Sequence, residues 1–374
     1  MAINVFVPTF HVDEILVQIR ECLEKGWTGL GFKTIEFEEA WKKYTGLPFA
    51  HFLSSNTVGL HIALHVFKMT HHWNNDDEII TTPLTFVSTN HAILYENLKP
   101  VFADVDESLC LDPKSVAARI TSKTKAVLFV GIGGNIGQYN EIVALCKEKN
   151  LLLILDAAHM SGTFINNRHV GYDADCTVFS YQAVKNLPTS DSGMVCFQDD
   201  KLDKLARELC WLGINKDTFQ RFQGGSYKWR YDVPNVGFKY HGNSIQASIG
   251  LVQLKYLEKD NDRRREIAKL YDSLLSNQKN IIRVTHNENC KSSRHLYQIR
   301  VQKRDEVLQT FHSQDIFPGV HYVDNTEYAP YAYAQGTCPN ARRISDELLT
   351  LPIHLRLTNE DCTRIVEVLK KAIE

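Results

Sequence analysis

Four short segments of the chain carry residue types that could do chemistry in common. In Thr177-Val-Phe-Ser-Tyr-Gln-Ala-Val-Lys-Asn an apolar run ends on Ser180, and Lys185 follows five residues later. A lysine just beyond a strand end lies beside a ligand crevice, and a neutral amine there can attack an aldehyde to form a Schiff base. Ser180 would face the same crevice and could donate to a phosphate oxygen. In Leu151-Leu-Leu-Ile-Leu-Asp-Ala-Ala-His, Asp156 closes a wholly apolar strand. A carboxylate in that position needs a cationic or hydrogen-bonding partner, or its pKa rises. A protonated pyridine nitrogen is such a partner, and keeping it protonated makes the ring an electron sink. His159, on the same turn, could reach a phenol oxygen of that ring.

The other two segments supply walls. Ser54-Ser-Asn-Thr-Val-Gly-Leu-His places Asn56 and Thr57 just before a helix. Free backbone N–H groups, hydroxyls and the positive end of the helix dipole make a ready phosphate seat there. Thr82-Pro-Leu-Thr-Phe-Val-Ser-Thr sets Phe86 after a strand, where it could stack on a flat heteroaromatic ring. Each feature has a plainer reading when taken alone. Lys185 reads as a surface lysine, Asp156 and the Ser54–Thr57 residues as caps, His159 as structural and Phe86 as core.

The elements that must position these residues alternate along residues 50–200. Apolar runs at Glu78–Thr82, Pro100–Val105, Lys125–Val130, Leu151–Asp156 and Ala174–Ser180 read as strands. Between them Val58–Phe67, Thr89–Tyr95 and Asn140–Lys149 read as helices. Continuous apolar strands with amphipathic helices between them predict a mainly parallel sheet covered on both faces. Ligands of such sheets sit outside the carboxyl ends of the strands, so the polar strand-end residues should converge. A long charged helix is expected over 245–275, its run Asp260-Asn-Asp-Arg-Arg-Arg-Glu forming a solvated face. A strand at His295–Val301 and a helix at Asn359–Ile373 suggest a smaller α/β lobe. The predicted organisation is a large domain over 1–245 and a small C-terminal domain over 246–374.

Bulk composition narrows the classes. Lys and Arg total 42 against 44 Asp and Glu, so no global field favours nucleic acid or an acidic membrane surface. Nine cysteines stand singly, with no CxxC pair and no metal-ligand spacing, so they read as reduced thiols and no metal is expected. The N-terminus MAINVFVPTF lacks the pattern of a signal peptide, and no apolar stretch is long enough to span a bilayer. A soluble, cytoplasmic protein is expected.

In their order and spacing the four segments resemble the nucleotide-sugar aminotransferase family (DegT/DnrJ/StrS-like), fold-type I pyridoxal 5'-phosphate (PLP) enzymes acting on keto-sugars. The resemblance runs nearly end to end, from Gly26-Trp-Thr and Phe37-Glu-Glu through Gly237-Phe-Lys-Tyr-His and Ile245-Gln-Ala-Ser-Ile-Gly-Leu-Val-Gln-Leu. It closes with Arg294-His-Leu-Tyr, Gly319-Val-His-Tyr and Ser345-Asp-Glu-Leu-Leu-Thr-Leu-Pro. The resemblance implies that Lys185 holds the cofactor as a Schiff base and that Asp156 partners its pyridine nitrogen. Ser180, Asn56 and Thr57 would bind its phosphate, Phe86 would stack on the ring, and His159 would neighbour the phenol oxygen. Lys239 matches a position that reaches the phosphate from the other subunit, so a homodimer with shared active sites is implied.

The implied reaction is a ping-pong transamination in which glutamate donates the amine and the cofactor alternates between PLP and its amine form, PMP. Relatives with His at the lysine position dehydrate a sugar, so Lys185 favours amination. Departures from the family pattern fall on its acceptor side: Gly131, Gln182, Ser190-Asp-Ser-Gly with a carboxylate at Asp191, and His241-Gly242. The expected acceptor is a nucleotide-linked 4-keto-6-deoxy or 3-keto sugar for surface polysaccharide or glycan synthesis. A small keto-phosphate or cyclitol precursor is the alternative, and a non-catalytic ligand-binding regulator the third. Loops Phe219–Trp229 and Gly319–Tyr333 should decide among acceptors.

Overall fold

The computed structural model of the chain describes residues 2–215 and 230–373, so the Phe219–Trp229 loop lies outside the described residues. After helices α1 (Val12–Glu24) and α2 (Phe32–Thr45), strands and helices alternate: β1 (His51–Leu53), α3 (Asn56–Thr70), β2 (Glu78–Thr81), α4 (Val87–Tyr95), β3 (Lys99–Phe102), α5 (Pro113–Arg119) and β4 (Thr124–Val130). Then come α6 (Tyr139–Lys149), β5 (Leu152–Asp156), β6 (Cys176–Ser180), β7 (Gly193–Phe197) and α7 (Asp200–Cys210). The seven strands form one sheet in the order β1-β7-β6-β5-β4-β2-β3. The pairs from β6 to β3 are parallel, and β7 is antiparallel to both of its neighbours. The mainly parallel mixed sheet that the family resemblance implies is therefore present, and β7 is its reversed strand, which the sequence did not locate.

Side chains alternate across this sheet with the two-residue period of a strand. Val127, Phe129, Leu153, Leu155 and Phe179 enter the core beneath α2 and α6. Ala126, Leu128, Ile154, Cys176 and Val178 enter the core beneath α3, α4 and α7. Burial on both faces explains why these strands read as continuous apolar runs rather than alternating ones. Register aligns the strand ends: Val130 lies opposite Asp156, and Asp156 opposite Val178, so Asp156 and Ser180 finish at one edge.

The second lobe has an antiparallel sheet of β8 (Ile281–Arg283), β9 (Tyr297–Val301) and β10 (Leu348–Leu351) in that order. Helices α8 (Ser244–Leu274), α9 (Arg304–His312), α10 (Pro339–Glu347) and α11 (Asn359–Ile373) complete it. Its core gathers Ile267, Tyr271, Ile299, Phe311, Leu349 and Ile365, together with Ile3 from the chain's start. Helix α8 serves two cores, because Ala247 and Leu257 pack in the large-sheet core while Ile267 and Tyr271 pack in the small one. Its charge run is only partly solvated, against the expectation: Asp262 and Glu266 are exposed and pair with Arg265 and Arg263, while Asn261 is buried. Arg264 departs from that expectation: it is 7% exposed and donates to the Ile353 carbonyl at 3.0 Å. Among the described residues no helix is long and apolar enough to cross a membrane.

Candidate active site

A cavity of about 450 Å³ opens at the carboxyl ends of β4, β5 and β6 and is closed from the other lobe by His295, His321 and Tyr322. Asn56, Thr57, Phe86, Asp156, His159, Ser180 and Lys185 all line it, drawn from four separate segments. The sequence reading placed them together by the rule that strand ends converge and by the family resemblance. Lys239 is the exception. It is exposed, outside this cavity, with Nζ 3.6 Å above the Trp211 ring.

Asp156 is the most constrained of these groups. It is 4% exposed, and no lysine, arginine or histidine comes within ion-pair distance of it among the described residues. Its Oδ1 accepts from Asn56 Nδ2 at 3.3 Å and from the Ala158 amide at 3.1 Å, and its Oδ2 from Thr89 Oγ1 at 2.8 Å. Burial pushes its carboxyl up from the usual range, against the pull of these donors and of the Lys185 charge. A buried carboxylate held by neutral donors and lacking a cation fits a pyridinium N–H, which would supply that cation.

Lys185 sits in the twelve-residue connection between β6 and β7, its amide bonded to the Gln182 carbonyl at 2.8 Å. Desolvation in the cavity lowers its amine from 10.5 to about 8, although the Asp156 carboxylate opposes the shift. The next residue anchors the connection. Asn186 Nδ2 donates to Asn261 Oδ1 at 2.6 Å and to the Ser293 carbonyl at 2.8 Å. Its Oδ1 must then accept from His295 Nδ1 at 2.8 Å. The lysine loop is thereby tied to α8 and to the second lobe.

His159 is held in one tautomer. Its Nδ1 accepts from the Gly133 amide at 3.1 Å, so a neutral ring carries its proton on Nε2, which lies 3.2 Å from the Tyr322 hydroxyl. Burial, with Lys185 and His321 nearby, lowers its pKa far below the ordinary value, so the ring is neutral at physiological pH. Such an imidazole can donate one hydrogen bond from a fixed place without adding charge.

The first turn of α3 is the segment the sequence offered as a phosphate seat, and it opens into the cavity. Ser55 caps it by accepting from the Val58 amide at 3.3 Å, leaving the Asn56 and Thr57 amides at the open end. The Asn56 side chain does not face the seat; it turns to Asp156 and to the Val178 carbonyl, 3.1 Å away. What it offers a phosphate is its backbone. Gly193, at the start of β7, allows the turn to lie against the sheet, since a Cβ there would meet the Asn56 nitrogen at 2.6 Å. Ser180 Oγ, across the ladder from Gly193, is 3.4 Å from the Gln182 amide and lines the same cavity.

Phe86 is not a core residue. It is 57% exposed, its ring standing in the cavity mouth 5.9 Å from Tyr322. Sequence reasoning missed Thr89, Asn186, His295 and Tyr322 as site residues. Thr89 had a signal, because it closes the Thr82–Thr89 segment already singled out for Phe86. Tyr322 and His295 lay inside segments that carry the family resemblance, but only tertiary folding shows that the second lobe brings them to the strand ends. A separate cavity of about 510 Å³ near Trp211 contains Glu38 and Arg207, but these are already paired to each other at 2.8 Å.

Comparison with known proteins agrees with this geometry. Residues 11–370 match the profile of the DegT/DnrJ/EryC1/StrS aminotransferase family. The spore coat polysaccharide biosynthesis protein SpsC of Bacillus subtilis is 31% identical, the match covering 98% of this chain and 96% of that one. The aminotransferase TlmJ from Streptoalloteichus hindustanus superposes with a TM-score of 0.91 at 30% identity, covering 100% of this chain and 99% of its own. The PMP form of a Streptococcus pneumoniae protein described as a sugar aminotransferase gives a TM-score of 0.90 at 27% identity, with 98% of each chain covered.

Proposed function

Because the chain belongs to the DegT/DnrJ/EryC1/StrS aminotransferase family, and so is a PLP-dependent aminotransferase, we propose that it carries the amino group of glutamate to a nucleotide-linked keto-deoxysugar. The ketone would be that of a 4-keto-6-deoxy or 3-keto sugar destined for surface polysaccharide or glycan synthesis. The observation that carries the reading is the meeting of the Lys185 amine, the Asp156 carboxylate and the α3 first turn in one cavity. The polysaccharide role in the name of the B. subtilis relative supports a sugar acceptor.

When bound, PLP supplies an electron sink for the carbon that loses its proton. The chain's residues do the rest. The amide N–H groups of Asn56 and Thr57, with the Thr57 and Ser180 hydroxyls, hold the phosphate at the dipole end of α3. The Phe86 ring would cover one face of the pyridine, and the Asp156 carboxylate would accept a hydrogen bond from its protonated nitrogen. His159 Nε2–H and the Tyr322 hydroxyl stand near the phenol oxygen. Lys185 Nζ, with its pKa near 8, is partly free base at neutral pH and can bond to the cofactor carbon. Once free, the same Nζ would serve as general base and then general acid toward the proton of the substrate carbon.

The reading includes a homodimer in which the exposed Lys239 of one copy serves the phosphate of the other. It also includes a cytoplasmic location, supported by nine cysteines that are all free thiols. The test is a half-reaction. The protein is converted to its amine form with glutamate, freed of donor, and offered nucleotide-linked keto-sugars or small keto-phosphates while the cofactor absorbance is followed. Return with a nucleotide-linked keto-sugar is expected. Return only with a small ketone would move the assignment to a keto-phosphate or cyclitol acceptor.

A further inference from the structure

Asp156 is held by more donors than its place at a strand end requires, and the count has a consequence. An ionised carboxylate offers about four lone-pair sites, two on each oxygen. Oδ1 fills both of its sites, with Asn56 Nδ2 and the Ala158 amide. Oδ2 fills one, with Thr89 Oγ1. Thr89 has a single hydrogen and spends it on Asp156, so the 3.0 Å contact between Thr85 Oγ1 and Thr89 Oγ1 is a donation from Thr85. All three side chains are buried, at 8% exposure or less. The result is a directed chain, Thr85 to Thr89 to Asp156, meeting a second arm from Asn56.

We propose that Asn56 and the Thr85–Thr89 pair are positioning residues that keep Asp156 ionised and leave one acceptor site, on Oδ2, for the proton of the cofactor's ring nitrogen. The inference rests on the reading of Asp156 as the ring's partner. Hydrogen bonds donated to a carboxylate stabilise its charged form. Without them the carboxyl becomes the better base, and the shared proton moves from ring nitrogen to carboxylate oxygen. The ring then withdraws fewer electrons, although no group touching it has been removed. Asn56 also ties α3 to β6 through the Val178 carbonyl, which by itself would be a structural role. Thr89 makes no such tie, so the two arms can be separated experimentally.

The experiment uses the holoenzyme loaded with PLP carrying ¹⁵N in the ring, and reads the nitrogen's protonation by NMR from pH 6 to 10. The wild type should hold the proton throughout the neutral range. Thr89→Val should weaken that hold about 10- to 100-fold, the measure of one hydrogen bond to a charged acceptor. Asn56→Ala should weaken it less, because its bond to Asp156 is the longer one, and Thr89→Ser should restore the wild-type titration. Asp156→Asn separates the two levels of the argument. If the wild-type nitrogen carries no proton, or keeps it in Asp156→Asn, the reading of Asp156 itself fails. If Asp156→Asn loses the proton while Thr89→Val titrates as wild type, only the positioning role is overturned. Should Asn56→Ala not hold cofactor, Thr89→Val alone decides, since it leaves α3 untouched.

Discussion

Replacing Gly193 by alanine isolates the contribution of the phosphate seat. A Cβ at this position would lie 2.6 Å from the Asn56 nitrogen, 2.7 Å from the Ser55 carbonyl carbon and 2.8 Å from the Phe179 oxygen. All three are backbone atoms, so no side chain can swing aside. Ordinary contact begins near 3.4 Å, so the first turn of α3 must retreat by roughly 0.7–0.8 Å from β7, and the Phe179 oxygen on β6 must give by roughly 0.6 Å. Overpacking of this kind costs about 1–3 kcal/mol in stability. It also moves the amides that meet the phosphate out of hydrogen-bond register with it. Affinity for PLP should therefore fall about 10- to 100-fold, the equivalent of one or two lost hydrogen bonds to a charged group. Binding of pyridoxal, which has no phosphate, should fall much less. Titration of the apoprotein with both compounds, alongside thermal unfolding, reads the difference. Equal losses for the two compounds, or no loss for either, would refute the argument that α3 seats the phosphate.

Two further outcomes follow from the electrostatics. With an amine pKa near 8, about a tenth of Lys185 is neutral at pH 7, roughly 300 times the fraction of an ordinary lysine at 10.5. The rate of PLP uptake by apoprotein should climb about tenfold per pH unit below 8 and level off above it; a climb that continues to pH 10 would contradict the desolvated amine. Glu38 is the second case: burial would raise its carboxyl, but Arg207, His51 and the Phe52 amide hold it at about 2. A depressed carboxylate stabilises the fold above the unfolded value near 4.5 and loses that contribution as pH falls toward 2. Arg207→Ala should thus cost about 2–3 kcal/mol at pH 7, less than a wholly buried pair because Arg207 is partly exposed. In denaturant titrations the gap from wild type should narrow as pH falls through 4.5 to 2.

What the sequence disclosed follows from how parallel sheets are built. Strands buried on both faces announce themselves as apolar runs, and their polar end residues share one edge, so Asp156, Ser180 and Lys185 were legible as a group. The reversed strand β7 was not, because Gly193–Phe197 is one short apolar run and direction is not written in composition. It is set by the connection over residues 181–192, which turns the chain back so that the Tyr181 amide bonds the Ser192 carbonyl at 2.8 Å. Asn56 was legible as a residue of the phosphate turn. That its side chain faces a carboxylate 100 residues away became visible only in the packed chain. Phe86 shows the opposite case: composition favours a core phenylalanine, yet its position just before α4 leaves it in the cavity mouth. Arg264 was hidden inside a charge run, whose pattern does not tell which of three adjacent arginines turns inward.

The central claim is that the Nζ of Lys185 bonds to the cofactor's aldehyde carbon. Reduction of the purified holoprotein with borohydride, followed by peptide mass mapping, reads the attachment point directly. The account predicts one pyridoxyl-phosphate adduct per chain, on Lys185, and none in Lys185→Ala. An adduct on a different lysine, or a wild-type protein that acquires none after saturation with PLP, would contradict it.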